Sequence, residues 1–317
     1  MIDKTQKYIL ESRPYNKVIE YLKNVHLTRE NVSLYSILKI FVTKVDKDDI
    51  FERANGVAFN FTLAIFPAII FLFTLIPFLS NFTYVSQVDL RFEIMEFMEE
   101  LMPESMYEVA ASTIVDIISK QRGGLLTFGF LFAFFMATNG MLSLMTAFNR
   151  CYKTSDKRGY LKTRLVATLL TIVLAFVLIT AIIILGVGQI AIHYIEGFLT
   201  GNLILYSLIL LRYVILFLMF FMTISCIFHY APAVTIRWRF FSVGSLLAAF
   251  LCILISFAFS YYISTFSTYN KLYGSIGALM GLMIWFYLIS IALLLGFELN
   301  ASIDKARIDY IQQKTIE

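Results

Sequence analysis

The sequence predicts an all-α, polytopic membrane protein: six transmembrane helices, both termini on the cytoplasmic side, and an amphipathic helical hairpin on the outer side between spans one and two. Three observations predict it. Hydrophobic residues make up 59% of the 317 residues and charged residues only 15%, with a mean hydropathy of +0.76, which is too apolar for a soluble domain. Six stretches are apolar for long enough to cross a bilayer core of roughly 30 Å at about 1.5 Å per helical residue. Lys and Arg gather in alternate loops between them, the pattern of cytoplasmic loops.

Residues 1–53 form an N-terminal segment with ten Lys and Arg. Leu34, Ile37, Leu38, Phe41 and Val42 recur at helical spacing beside Lys39 and Lys44, which suits either a helix on the membrane surface or a small solvated cap. No apolar core followed by small residues precedes the first span, so insertion is expected to rely on that span. The membrane domain covers 54–301, with spans at about 54–79, 125–148, 165–190, 203–228, 241–266 and 275–299.

Span one carries Pro67 near its middle, where the missing N–H predicts a kink or a local opening. Between spans one and two, Asp89, Glu93, Glu96 and Glu100 share one helical face, with Ile94, Met95, Phe97, Met98 and Leu101 on the other. Pro103 breaks that helix and a second stripe follows, so 84–120 reads as the amphipathic hairpin. It holds an excess of acids, since 81–123 has eight Asp and Glu against three Lys and Arg.

Span two contains Asn139 and ends at a loop with Arg150, Lys153, Lys157, Arg158, Lys162 and Arg164. Span four contains Arg212, roughly 14 Å of helix from its start, where a charge costs between about 2.5 and 17 kcal/mol unless it is paired or wet. A second basic loop, HYAPAVTIRWRFF, precedes span five. Span six runs from about Ser275 to Phe297 without a charge and closes on Glu298 and Asn300. Gly274, Gly277 and Gly281 lie near one stripe of it, with Gly277 and Gly281 in the spacing that lets a second helix, or a second copy of the chain, approach closely. Residues 302–317 read as a short charged cytoplasmic tail with a frayed end.

Two of these stretches carry a resemblance. RANGVAFNFTLAIFPAIIFLF in span one and LYGSIGALMGLMIWFYLISIALLLGFELNA in span six resemble the signatures of the YihY/BrkB family of bacterial inner-membrane proteins. The resemblance runs from about Asp49 to Ala301. It implies a multi-pass protein of the bacterial cytoplasmic membrane, and it brings no established activity with it. Members have carried a ribonuclease BN label, which these residues do not support.

No catalytic or metal-binding set is evident. The apolar spans contain no Asp, His229 stands at a helix end, and Cys151, Cys226 and Cys252 have no ligand spacing. A P-loop is absent from the sequence, and the basic loops are explained by topology rather than by nucleic acid. The expectation is therefore no enzyme, no cofactor, no metal and no nucleic-acid partner.

The polar residues of the spans carry the functional reading. Arg212, Asn139 and Asn60 are the candidate substrate-binding residues, because a deep cation with amide companions attracts an anionic head group. Pro67, Gly274, Gly277, Gly281, Glu298, Arg53 and Arg164 are the candidate structural or gating residues, with Glu298 expected to pair with an arginine at the cytoplasmic end. These support a transporter or translocator of a lipid or other amphiphilic anion, with Arg212 and Asn139 expected to line a wet cavity. The alternative is a non-transporting scaffold or envelope-assembly partner that docks another protein through the outer hairpin.

Overall fold

In the computed structural model, the described residues are 20–25, 32–47, 49–79, 122–152, 156, 158–196, 202–234, 239–265 and 268–316. They contain helices and no strand. The short helix α1 (Leu34–Lys47) leads into α2 (Ile50–Leu79), α3 (Gly123–Cys151), α4 (Tyr160–Glu196), α5 (Asn202–Tyr230), α6 (Val243–Thr265) and α7 (Thr268–Ile316). Helices α2 to α7 each contain a stretch long and apolar enough to cross a membrane, six in all. The hairpin expected at 84–120 lies outside the described residues.

Each of the six spans read from the sequence has its helix, and most helices overrun the apolar runs at one end or both. Hydropathy marks only the part that belongs in hydrocarbon, whereas a helix continues as long as its own backbone groups pair. The largest difference is at the C-terminal end. In place of a tail that begins at Ser302, α7 continues unbroken for 49 residues, about 73 Å. Packing explains the extension: Leu299, Ile303 and Ala306 meet Val32, Ile37 and Ile40 in a small cluster beside α1. Only part of the α1 apolar stripe is used there, since Ile37 is buried while Val42 is 63% exposed.

The helix contacts follow the distribution of small residues. Helix α7 packs on α6, α2, α1 and α3, while α2 packs on α3 and α4 on α5. Ala54, Ala58, Ala64, Ala248, Ala249 and Ala292 are buried, and Phe128, Leu165, Phe176, Leu210, Phe250 and Phe257 are exposed. This is the arrangement expected in lipid, where small residues let backbones approach and bulky apolar ones face the bilayer. Buried threonines inside the spans bond to their own helices: Thr62 donates to the Ala58 carbonyl, Thr171 to Ala167 and Thr223 to Met219. That satisfies them without water. Helix α2 remains helical through Pro67, which is buried.

The two basic loops meet at one end of the bundle. Asn149 Oδ1 accepts the Ala233 N–H at 2.8 Å, and Arg158 donates to the Tyr230 and Ala231 carbonyls at 3.3 and 2.6 Å. Arg158 thus sits on the last carbonyls of α5, where a cation is favoured. Asp156 holds it in an ion pair of 3.0 Å. Burial by itself would raise the Asp156 carboxyl, but hydrogen bonds from the Arg158 side chain and backbone, the Arg158 charge and Thr163 outweigh it and hold it below the usual carboxylate range. A depressed folded-state value means that this contribution is present above the unfolded carboxylate value and is lost as the pH falls through the folded one. Amide exchange at 158–163 is therefore expected to speed up below about pH 4 relative to the spans, and Asp156→Asn to abolish that pH dependence. An unchanged exchange profile in the variant would remove the role given to this pair.

Candidate functional site

Three layers are stacked along the bundle axis toward the end where the basic loops meet. The first is a cavity of about 430 Å³ among the spans, lined by Phe61 and Phe71 of α2, Phe130 of α3, Leu174 of α4, Phe220 of α5, Cys252 of α6 and Trp285 of α7. Thr171, Thr223 and Ser290 also line it, and each bonds to its own helix. A recess lined in this way offers water few partners and offers apolar groups many contacts.

One turn further on, Leu144, Ile224 and Leu293 of the cavity wall give way to Phe148, Phe228 and Phe297, all completely buried. Phe148 and Phe297 stack at 4.2 Å between ring centroids, and Phe228 meets both edge-on at 5.4 and 5.5 Å. These geometries are favourable for aromatic pairs. Together the three rings join α3, α5 and α7 into a plug beneath the cavity.

The third layer is ionic. Glu298 has no exposed surface; its carboxylate lies 2.9 Å from Lys44 Nζ and 3.8 Å from Arg53 Nη2. Arg53 also donates through Nη1 to the Ala147 carbonyl and to Cys151 Sγ, both at 3.0 Å. One carboxylate therefore ties α7 to α1 and α2, and Arg53 carries the tie on to α3. Buried charges persist only when paired in this way.

The run Gly296-Phe297-Glu298-Leu299-Asn300 makes these layers legible in one helix. At about 100° per residue, five consecutive positions sweep the whole circumference, and here each meets a different neighbour. Gly296 lies against the Gly244 backbone of α6, Phe297 stacks on Phe148, and Glu298 pairs with Lys44 and Arg53. Leu299 packs on the α1 cluster. Asn300 accepts the Gly244 N–H at 2.8 Å and donates to Ser242 Oγ at 2.7 Å, so it satisfies an N–H at the start of α6 that has no intrahelical partner.

The expected pairing of Glu298 with an arginine is found at Arg53, with Lys44 of the amphipathic helix α1 as a second partner. Arg164 does not reach Glu298. It donates to Asn139 Oδ1 and lies 4.4 Å over the Phe135 ring. Asn139 is thus brought to Arg164, on α4, rather than to Arg212 on α5, and Asn60 donates to the Gly56 carbonyl of its own helix. Arg212 is half-buried. Arg212, Asn139 and Asn60 are not among the residues that line the apolar cavity. Gly274, Gly277 and Gly281 all lie within α7, and a close backbone approach of α6 and α7 is found at Gly244 and Gly296. Among the described residues, no three His, Cys, Asp or Glu stand together as a metal site.

The sequence model of a family described as virulence factor BrkB matches residues 41–315. A ribonuclease-like protein of Bacillus subtilis, YfkH, is 30% identical over 81% of this chain and 90% of its own length. A UPF0761 membrane protein of Tolumonas auensis is 26% identical over 83% of each chain. Another from Stenotrophomonas maltophilia is 35% identical over 26% of this chain and 19% of its own. No solved structure matches significantly.

Proposed function

Because the chain belongs to the BrkB family of multi-pass membrane proteins, we propose that it is a translocator of a lipid or other amphiphilic anion in the bacterial cytoplasmic membrane, without enzymatic activity. The observation that carries this reading is the apolar cavity among the six spans. Within a bilayer an apolar recess of this size takes up acyl chain, since an empty one would forfeit dispersion contacts and water would find few partners there. The head group is assigned to Arg212, Asn139 and Asn60 as substrate-binding residues, with Arg164 bonded to Asn139.

The aromatic plug and the Glu298 ion pairs then act as the closed gate at one end. By the charge of its loops that end faces the cytoplasm. Opening requires α7 to part from α2 and α3, which separates Phe297 from Phe148 and Glu298 from Arg53. Pro67 and the glycines of α7 are the gating positions where the helices can flex.

Filling the cavity tests the reading. Ala137→Trp places a large side chain in its wall and is expected to reduce flipping of a fluorescent phosphatidylglycerol in proteoliposomes at least tenfold (an order-of-magnitude expectation), while the melting temperature in detergent stays close to that of the parent. Equal rates for the two proteins, or a parent no faster than empty liposomes, would overturn it, the second outcome leaving the scaffold reading through 84–120.

A further inference from the structure

Beyond the spans, α1 and the outer length of α7 lie side by side with a groove of about 540 Å³ between them. We propose that this groove binds a phosphate group, as a site separate from the apolar cavity and independent of what the cavity carries. Lys39 and Thr43 of α1 line one wall, and Lys305, Tyr310 and Gln313 of α7 the other, with Lys44 at the inner end. Lys39 and Lys305 are exposed at the groove, while Lys44 is already engaged by Glu298 at 2.9 Å. The two outer lysines therefore carry the attraction, and among the described lining residues the one carboxylate is Asp309.

The neutral groups suit an oxyanion. Ser33 and Ser36 share a hydrogen bond of 2.9 Å, and their hydroxyls, with Tyr310 and Gln313, supply O–H and N–H donors around the lysines. Location matters as much as composition. Glu298 marks the point where the apolar run of α7 stops, so the groove extends outward from the level of the head groups. There an anionic phosphate is held at about 1 kcal/mol per nearby lysine. The phosphate belongs either to an acidic phospholipid of the surrounding leaflet or to a soluble phosphorylated compound, and experiment separates the two.

The test uses the full chain and two double variants of equal net charge, Lys39→Gln with Lys305→Gln in the groove and Lys162→Gln with Arg239→Gln outside it. Binding of phosphatidylglycerol is read by native mass spectrometry, and binding of inorganic phosphate by the shift in melting temperature. If the group is a lipid head group, the groove variant loses about 30-fold in phosphatidylglycerol affinity and the control keeps it. If it is soluble, inorganic phosphate raises the melting temperature of the parent and the control and leaves the groove variant unmoved. Loss of equal size in both variants, or in neither, overturns the proposal.

Discussion

Gly296→Val is expected to prevent the protein from reaching its native fold, or to destabilise it by at least about 3 kcal/mol, the upper part of the range for over-packing. A Cβ at Gly296 would lie 2.5 Å from the Gly244 carbonyl oxygen and 2.6 Å from the Ala248 Cβ, and a Cβ at Gly244 would overlap the Gly296 carbonyl and lie 2.6 Å from Asn300 Oδ1. The obstacle is mostly backbone, which cannot rotate away as a side chain can. Relief would require α6 and α7 to separate, and that would also break the Asn300 bonds to Gly244 and Ser242. Gly244→Val should behave in the same way. Gly56→Ala is the contrasting case, because its Cβ would meet only Ser143 Oγ at 3.7 Å, an ordinary contact, in a helix that prefers Ala. Melting in detergent followed by size exclusion distinguishes them. A Gly296→Val protein that melts with the parent would mean that α6 and α7 are not in backbone contact.

Glu298→Ala is expected to cost about 3–5 kcal/mol, the usual penalty for removing one partner of a buried ion pair. Most of it comes from Arg53, whose side chain is 3% exposed and cannot reach water, and less from Lys44, which at 16% can turn into the groove. The decisive comparison is a cycle. Replacing both residues, as Arg53→Met with Glu298→Met, removes the uncompensated charge and should be less destabilised than Glu298→Ala alone. Additive losses measured by thermal unfolding would show that Arg53 and Glu298 do not stabilise one another. If the pair also serves as a gate, the double variant regains stability but not the flipping rate.

Much of this architecture is legible in the sequence. Six apolar runs specified six helices, because no other backbone arrangement of such segments satisfies its own hydrogen bonds in hydrocarbon. The need of Glu298 for a partner was readable too, and Arg53 was among those named. Lys44 was not, since nothing in an amphipathic segment 254 residues away along the chain indicates which helix it packs on. The glycines illustrate the same limit from the other side. The close approach of Gly244 and Gly296 joins two different helices, so it leaves no spacing in the sequence to detect.

The sequence by itself determined what each segment is: which stretches belong in lipid, which loops are rich in Lys and Arg, and which polar residues require a partner. These follow from transfer energies and helix periodicity, which are local to a segment. The tertiary structure alone decided which partner each residue received. It brought Asn139 to Arg164, placed three phenylalanines from three helices under one cavity, and extended α7 along α1. Those outcomes depend on how helices far apart in the chain share small residues and fill space, a property of contacts between segments and not of any one of them.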